Sequence, residues 1–344
     1  MRIADQSIGQ GSHPFVIAEM SGNHNKSLER AMEIVKAAAD AGADAIKLQT
    51  YTPDSLTIDH RGGLFEITDA KSLWHGKNLY ELYQEAMTPY EWHKPLFDYA
   101  QELGIICFST PFDEAAVDML EELGAPCYKI ASFENNHHPL LRKVAGTGKP
   151  VIMSTGISTL SGIDESVAVL RAHHCTDLVL LKCTSSYPAS PENTNLLTIP
   201  NMREIFDCEV GLSDHTMGVG VAVASVALGA VVIEKHFCLS RAEGGVDSAF
   251  SLEPHEFRTL VQETKRAFLA LGKVQYGIQE AEKKSISFKR SIYVVKDIEK
   301  GEIFSPENIR IIRPGDGLHP RYFEGLIGKP AQAAYKRGEP LSIK

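Results

Sequence analysis

The chain has 344 residues, of which 43% are hydrophobic and 23% charged, and its formal net charge is -9. This composition predicts a compact protein, and it argues against a disordered chain and against a nucleic-acid or anionic-membrane surface. No apolar run approaches the roughly 18 residues of a membrane helix, and no leader pattern opens the chain, so we expect a cytoplasmic protein. The six cysteines are scattered singly, which predicts reduced thiols rather than disulfides or a zinc knuckle.

Short apolar runs recur along the chain, and segments with helical spacing fill the intervals between them. The runs occupy residues 15–20, 45–50, 105–110, 126–132, 150–156, 178–186, 208–216 and 231–237. Continuous apolar strands that alternate with helices predict a parallel sheet covered on both faces, and eight such units close a barrel of ~250 residues. We therefore predict an α/β fold, a (β/α)8 TIM barrel over residues 1–280, with a doubly wound open sheet as the alternative.

The pattern changes after about residue 280. Residues 281–290 are charged and predict a linker, whereas residues 291–344 contain short strand-like runs separated by frequent Gly and Pro. A module of ~55 residues has only a marginal core of its own. We expect a small, mostly β C-terminal domain that packs on the barrel or on a second subunit.

Each predicted strand ends in polar side chains, although the strands themselves are apolar. Residues two apart in a strand share a face, and this spacing relates Lys47 to Gln49, Ser213 to His215, and Glu234 to His236. Buried charge costs several kcal/mol unless it is paired or ligated, and barrel enzymes carry their chemistry at the carboxyl ends of the strands. The strand ends therefore predict an active site at one mouth of the barrel.

His215 and His236 end the seventh and eighth predicted strands, which are neighbours in a closed barrel. A lone histidine is usually a hydrogen-bonded core residue, but this pair stands close to Asp214, Glu234 and Asp247. Two imidazoles leave coordination positions for water and substrate oxygens, as a Lewis-acid catalyst requires. We predict a divalent metal bound by His215 and His236, with Mn²⁺ favoured and Mg²⁺ or Co²⁺ as alternatives.

Lys47 and Lys129 end the second and fourth predicted strands, and a lysine in a strand interior is unusual unless it meets an anion. Phosphate or carboxylate is the expected partner. Short hydroxyls at neighbouring strand ends could donate to the same anion, namely Thr110, Ser132, Ser154, Ser185 and Ser213. Glu19 and Glu134 are candidates for general acid–base chemistry or for binding substrate hydroxyls, with structural pairing to a lysine as the alternative.

A series of short motifs, in order and spacing, resembles the sialic acid synthase family: KLQT, STPFD, YKIAS, STG, YP, GLSDHT and EKHF. They run through nearly the whole predicted barrel, and the tail resembles the antifreeze-like SAF module that this family carries. The segments KIASFE and GGVDSAFSLEP resemble the pseudaminic acid synthase branch more than the N-acetylneuraminate branch.

This resemblance implies condensation of phosphoenolpyruvate with 2,4-diacetamido-2,4,6-trideoxy-L-altrose, giving the nine-carbon 2-keto acid pseudaminate and phosphate without an organic cofactor. The residues that match the family's phosphoenolpyruvate contacts are Lys47, Thr110, Lys129, Ser132, Ser154, Ser185 and Ser213, although Ser185 stands where sialate synthases commonly have asparagine. Those that match its sugar contacts are Glu19, Gln49, Tyr187, Asp247 and Arg313. The implied catalytic residues are Glu134, Lys129, His215 and His236, with Glu134 assisting the proton transfers.

The same resemblance implies a domain-swapped homodimer in which Arg313 reaches the partner's active site, and carbohydrate biosynthesis of the kind that serves flagellin glycosylation. Other functions stay open at this point. The chain could be an N-acetylneuraminate or legionaminate synthase, a metal-dependent aldolase or sugar isomerase, or a non-enzymatic carbohydrate-binding or ice-binding protein.

Overall fold

A computed structural model describes residues 1–342 of the chain. The chain divides into two compact units, Met1–Gly272 and Lys273–Lys344. This boundary lies before the predicted end of the barrel at residue 280. The predicted linker at 281–290 overlaps a 3-10 helix, Glu280–Phe288, that belongs to the second unit.

Eight parallel strands in the first unit close into a barrel, which confirms the predicted TIM-barrel architecture and excludes the open sheet. An antiparallel ribbon of β1 (Arg2–Ile3) and β2 (Gln6–Ser7) precedes the barrel. The barrel strands are β3 (Phe15–Glu19), β4 (Ala45–Thr50), β5 (Ile106–Pro111), β6 (Tyr128–Ile130), β7 (Val151–Ser154), β8 (Leu178–Cys183), β9 (Glu209–Asp214) and β10 (Val232–His236). Seven of them fall within a predicted run, and β5 extends one residue beyond its run, to Pro111. β10 closes the barrel by pairing with β3.

Helices alternate with the barrel strands, and most of them cover the outside of the barrel. They are α1 (Leu28–Ala41), α2 (Pro53–Leu56), α3 (Leu79–Ala86), α4 (Tyr90–Leu103), α5 (Glu114–Glu122), α6 (His138–Ala145), α7 (Leu160–Ala172), α8 (Thr198–Phe206), α9 (Gly220–Ala227) and α10 (Pro254–Leu271). The first of them shows why they form: Ser27 accepts a hydrogen bond from the Arg30 N–H at its start, and Gly42 ends it in the left-handed conformation. Ile34, Val35 and other apolar residues on one face pack onto the sheet.

The interior of the barrel changes from apolar to polar along its axis. Inward-facing Ile17, Phe108, Ile152 and Leu181 form a buried apolar cluster at the amino end, where Ile3 of β1 and Ile8, which follows β2, join them. Two residues further along the same strands, the inward positions hold Glu19, Thr110, Ser154 and Cys183. Because the side-chain period of a strand is two, the apolar layer supports a polar layer at the carboxyl end.

The second unit has its own small core around an antiparallel pair, β11 (Ser291–Val294) and β12 (Ile309–Ile312), and includes a short helix α11 (Phe323–Leu326). Buried members of this core are Ile292, Val294, Ile298, Phe304, Ile309, Ala331, Tyr335 and Leu341. This agrees with the predicted small, mostly β module. Within residues 1–342, every helix is too short or too polar to cross a bilayer.

Candidate active site

A cavity of about 450 Å³ opens at the carboxyl end of the barrel and gathers nearly all the predicted site residues. Its lining includes Glu19, Lys47, Gln49, Thr110, Lys129, Ser132, Glu134, Ser154, Tyr187, Ser213, His215, His236 and Asp247. Ser185 lines an adjoining cavity. Arg313 is exposed and belongs to the second unit, so its place in the site stays a prediction.

Two buried lysines and a carboxylate that lies between them form the floor of the cavity. The Nζ atoms of Lys47 and Lys129 lie 3.8 Å from opposite oxygens of Glu234. Lys47 also pairs with Glu19 at 2.5 Å. Glu234 is shared at a distance beyond direct hydrogen bonding, so Lys129 retains positive potential for an anion, whereas Glu19 partly offsets that of Lys47.

The charged groups of the floor shift one another's pKa values. Burial alone would lower the pKa of Lys47, but the carboxylates of Glu19 and Glu234 outweigh it and raise that pKa. Burial lowers the pKa of Lys129, and it raises the pKa of Glu19 to about 7. For Glu234, both lysines outweigh burial and hold its pKa below the ordinary value. The central carboxylate is therefore ionised at neutral pH.

Hydroxyl groups surround the lysines. Lys47 donates to Thr110 Oγ1 at 3.0 Å, and Lys129 donates to Ser154 Oγ at 2.7 Å. The backbone N–H of Gly156 donates to Ser132 Oγ at 3.1 Å. A Cβ at Gly156 would stand 2.2 Å from Ser185 Oγ, so only glycine allows the backbone to approach these serines. Backbone N–H, hydroxyl and ammonium groups together form a cradle for a phosphate-sized anion.

The two predicted metal ligands lie side by side beyond the lysines. Their ring centroids are 5.3 Å apart. His215 Nδ1 donates to the Thr184 carbonyl at 2.9 Å, which leaves Nε2 as its free nitrogen. Burial and the surrounding cationic groups hold the pKa of His236 well below its ordinary value, so its ring is neutral.

This pair fits a divalent ion on the chemistry of its donors. His236 Nδ1 is buried and has no hydrogen-bond partner, the state expected of a nitrogen reserved for a ligand. Among the described residues, 1–342, no group of three or more His, Cys, Asp or Glu has metal-binding geometry, so the protein would supply two imidazoles and leave the other positions to oxygen ligands.

Polar residues predicted to bind a sugar line the same cavity as the imidazoles. Gln49 Nε2 donates to Glu19 Oε1 at 2.8 Å, and Ser21 donates to Asp247 Oδ2. The ring of Tyr187 is tilted against that of His215, with centroids 4.5 Å apart. Side chains that can accept or donate to hydroxyls therefore converge near the imidazole pair.

Glu134 follows β6 and lines the cavity wall. Burial raises its pKa to about 7, even though Lys129 opposes that shift. Its Oε2 is buried without a hydrogen-bond partner. A carboxyl group that is protonated about half the time near neutral pH can both accept and release a proton, as general acid–base catalysis requires.

Three functional residues had no predicted role: Glu234, which the sequence places beside the histidines, Ser21 and Cys183. The strand period would have identified Glu234, which shares an inward face with His236 two residues later. Cys183 occupies the corresponding polar-layer position of β8. Ser21 has no such pattern, because it follows the end of β3.

Comparison with known proteins places the chain in a family. The NeuB family model matches residues 34–276, and the SAF domain model matches residues 289–344. The chain belongs to the NeuB family. Pseudaminic acid synthase of Campylobacter jejuni (serotype O:2) is 47% identical over 95% of both chains, and that of Helicobacter pylori is 42% identical over 96% of both.

Solved NeuB-family relatives have the same architecture. N-acetylneuraminic acid synthetase from Leptospira borgpetersenii, in complex with citrate, superposes with a TM-score of 0.74 at 31% identity, covering 83% of this chain and 94% of that one. The Bacillus subtilis spore coat polysaccharide biosynthesis protein SpsE superposes with a TM-score of 0.68 at 32% identity, covering 99% of this chain and 97% of that one. The barrel and its appended SAF domain are therefore shared with relatives of known structure.

Proposed function

We propose that this chain is a pseudaminic acid synthase, a transferase that condenses phosphoenolpyruvate with 2,4-diacetamido-2,4,6-trideoxy-L-altrose to give pseudaminate and phosphate. The observation that carries the proposal is a single cavity in which a cationic, hydroxyl-rich cradle adjoins a pair of buried imidazoles. That cavity belongs to a NeuB-family chain 47% identical to a pseudaminic acid synthase over nearly its full length.

Phosphoenolpyruvate binds at the cradle. Lys47 and Lys129 balance its negative charge, while the hydroxyls of Thr110, Ser132, Ser154, Ser185 and Ser213 donate hydrogen bonds to its phosphate and carboxylate oxygens. The support for this is that both ammonium groups are buried and share one carboxylate, Glu234. These groups are fixed before substrate arrives, so they stabilise developing charge with little reorganisation.

The sugar aldehyde binds against the imidazole side, where Glu19, Gln49, Tyr187 and Asp247 hold its polar groups. A divalent ion bound by His215 and His236 would supply Lewis acidity toward the aldehyde oxygen. We propose Mn²⁺, with Mg²⁺ and Co²⁺ as alternatives. Imidazole nitrogens combined with oxygen ligands suit a transition ion better than Mg²⁺, which favours oxygen ligands and retains its waters.

The reaction forms one C–C bond and one C–O bond to water, and it breaks the C–O bond to phosphate. The enol carbon of phosphoenolpyruvate attacks the aldehyde carbon, whose oxygen takes up a proton from solvent, and water adds to C2 as Glu134 takes its proton. The tetrahedral intermediate then expels phosphate by C–O cleavage, and loss of the proton from the C2 hydroxyl gives the keto acid. The support for Glu134 is its pKa of about 7 and its position beside Lys129.

Phosphate release tests the proposal. With metal and phosphoenolpyruvate present, we expect release with the altrose derivative and far less with N-acetylmannosamine. Legionaminic acid synthases are 35% identical to this chain, so their sugar is the natural third aldehyde to compare. Equal rates with all aldehydes would contradict the pseudaminate assignment, and release without any aldehyde would contradict a synthase.

We further propose a domain-swapped homodimer in which Arg313 completes the partner's site. A complementation experiment tests this: chains with Arg313→Ala and chains with His236→Ala, each inactive alone, are coexpressed. In a swapped dimer, one site of each mixed dimer has both native residues, so about a quarter of all sites regain activity. No recovery in mixed dimers would contradict the swap.

A cytoplasmic location and a role in glycan biosynthesis such as flagellin glycosylation complete the proposal. The six cysteines, all free, are consistent with a reducing compartment.

A further inference from the structure

One side of the active-site cavity is apolar, in contrast to its charged floor. The segment between β4 and α4 supplies most of this side. We define the apolar wall as the lining residues Leu56, Ile67, Trp74, Leu79, Leu82 and Tyr83. The polar side-chain atoms of the wall are Trp74 Nε1 and the Tyr83 hydroxyl. None of the catalytic roles described above uses these residues.

Specific contacts hold the apolar wall over the barrel mouth. Trp74 Nε1 donates to the Val246 carbonyl at 2.9 Å, which ties the wall to the loop that carries Asp247. The Trp74 ring lies 6.0 Å from the ring of Tyr187, between centroids. Asn78 begins α3 by accepting a hydrogen bond from the Tyr80 N–H, which orients Leu79 and Leu82. The wall is therefore a fixed part of the site.

The sugar of the proposed function is unusually apolar at one end. Compared with N-acetylmannosamine, it carries an acetamido group instead of a hydroxyl at C4 and a methyl instead of a hydroxymethyl at C6. Its aldehyde carbon C1 must approach phosphoenolpyruvate and the imidazoles at the floor. Its C4–C6 end then projects away from the floor.

We propose that the apolar wall, through Trp74 and Ile67 in particular, receives the methyl groups at the C4–C6 end of the sugar and selects the diacetamido-trideoxy substrate over hexosamines. This inference rests on the proposed function and deepens it. A hexosamine would place additional hydroxyls against a wall that offers one uncommitted polar side-chain atom, the Tyr83 hydroxyl, because the Trp74 N–H is already bonded to Val246. Hydroxyls buried without partners lose binding energy. Differences of one or two groups in an apolar pocket change discrimination by about 10–200-fold.

The kinetic test uses Trp74→Asn, with Trp74→Phe as the conservative variant. We expect Trp74→Asn to lower kcat/KM for the altrose derivative by about 10–100-fold. The ratio of kcat/KM for the altrose derivative to kcat/KM for N-acetylmannosamine should therefore fall, while the KM for phosphoenolpyruvate changes less than about twofold. Trp74→Phe retains apolar area and should keep most of the preference. Should Trp74→Asn not fold, Ile67→Thr provides the same test at a second position of the wall.

A binding measurement tests the contact without turnover. The chain has two tryptophans, Trp74 and Trp92. Trp92 packs against His24, with ring centroids 5.4 Å apart, and does not line the cavity. In a Trp92→Phe variant, the emission of Trp74 should shift on titration with the altrose derivative but not with phosphoenolpyruvate alone.

The outcomes separate the two proposals. If the unmodified enzyme uses the altrose derivative and Trp74→Asn keeps the full preference, the wall inference is overturned and the proposed function stands. Unchanged Trp74 emission at saturating sugar also overturns the wall inference alone. If the unmodified enzyme releases no phosphate with the altrose derivative, the proposed function fails whatever the Trp74 variants do.

Discussion

Asp214 and Lys235 form a fully buried ion pair, and each stands one residue before a predicted metal ligand. Asp214 Oδ2 lies 2.7 Å from Lys235 Nζ, and both side chains have 0% exposure. Lys235 also donates to the Thr216 carbonyl at 2.5 Å, and Asp214 Oδ1 accepts from the Thr216 N–H. Because side chains alternate along a strand, the pair joins β9 to β10 on the face opposite the imidazoles.

Removing one member of this pair should destabilise the protein. Lys235→Met leaves the Asp214 carboxylate buried without a counter-ion, so the free energy of unfolding should fall by about 3–5 kcal/mol in urea denaturation. The double variant Asp214→Asn, Lys235→Met should recover most of that loss. Lys36→Met serves as the control, since the Lys36–Asp40 pair is exposed to solvent and its loss should leave the free energy of unfolding almost unchanged.

The same double variant should bind Mn²⁺ more weakly. The ion pair sets the spacing of the two strands directly beside His215 and His236, and misplaced second-layer contacts typically cost 10–100-fold in metal affinity. Calorimetric titration of Mn²⁺ into the protein measures this without turnover. Unchanged Mn²⁺ affinity in the folded double variant would contradict a positioning role for the pair.

Glu134→Gln should stabilise the protein at alkaline pH while it removes activity. The folded-state pKa of Glu134, about 7, lies above the ordinary value of 4.5 because of burial. Ionising this buried carboxyl therefore costs stability above pH 7 and costs nothing below pH 4.5. The Gln variant should exceed the native protein by about 1–3 kcal/mol in free energy of unfolding at pH 8, and the difference should shrink toward zero at pH 4.5.

Urea denaturation at both pH values checks this, together with phosphate release across the pH range. A stability difference that does not depend on pH would show that Glu134 does not titrate near 7 in the folded protein.

Gly156→Ala should weaken phosphoenolpyruvate binding selectively. Its Cβ would stand 2.2 Å from Ser185 Oγ and 2.7 Å from Ser132 Oγ, so the serine cradle must open. We expect the KM for phosphoenolpyruvate to rise at least about tenfold, with a much smaller change in the KM for the sugar. Gly162→Ala is the matched control: its Cβ would make an ordinary 3.5 Å contact with Thr159, within helix α7, and should leave both KM values unchanged.

His236→Ala should abolish Mn²⁺ binding and phosphate release while the fold persists. The buried Nδ1 of His236 makes no hydrogen bond, so its loss leaves no partner unsatisfied. The ring packs against Phe250, with centroids 4.8 Å apart, so the free energy of unfolding should fall by about 0.5–3 kcal/mol. Circular dichroism, denaturation and Mn²⁺ titration check the three parts. Retained phosphate release in the His236→Ala variant would contradict a role for His236 in the reaction.

Local sequence pattern was sufficient to predict the barrel and most of its site. Strand alternation depends on a period of two residues, so Lys47, His215 and His236 could be assigned to the barrel interior from their spacing alone. Ala45, two positions before Lys47, lies in the apolar cluster at the amino end of the barrel and confirms that phase for Lys47. The site was predictable because parallel strands of a barrel all deliver their carboxyl ends to one mouth.

Three features could be recognised only from the tertiary structure. They are the apolar wall, the position of Glu234 between two lysines, and the closure of the barrel's amino end by Ile3 and Ile8. Trp74 and Val246 are 172 residues apart and lie in irregular segments, where no periodicity relates sequence position to direction. Contacts between irregular segments arise from packing of the whole chain, and the free energy that selects them is not encoded in any short stretch. The charged residues of the cavity floor were therefore predictable from the strand sequences. The apolar wall, which we propose selects the sugar, was not predictable, because it depends on contacts between segments that are distant in sequence.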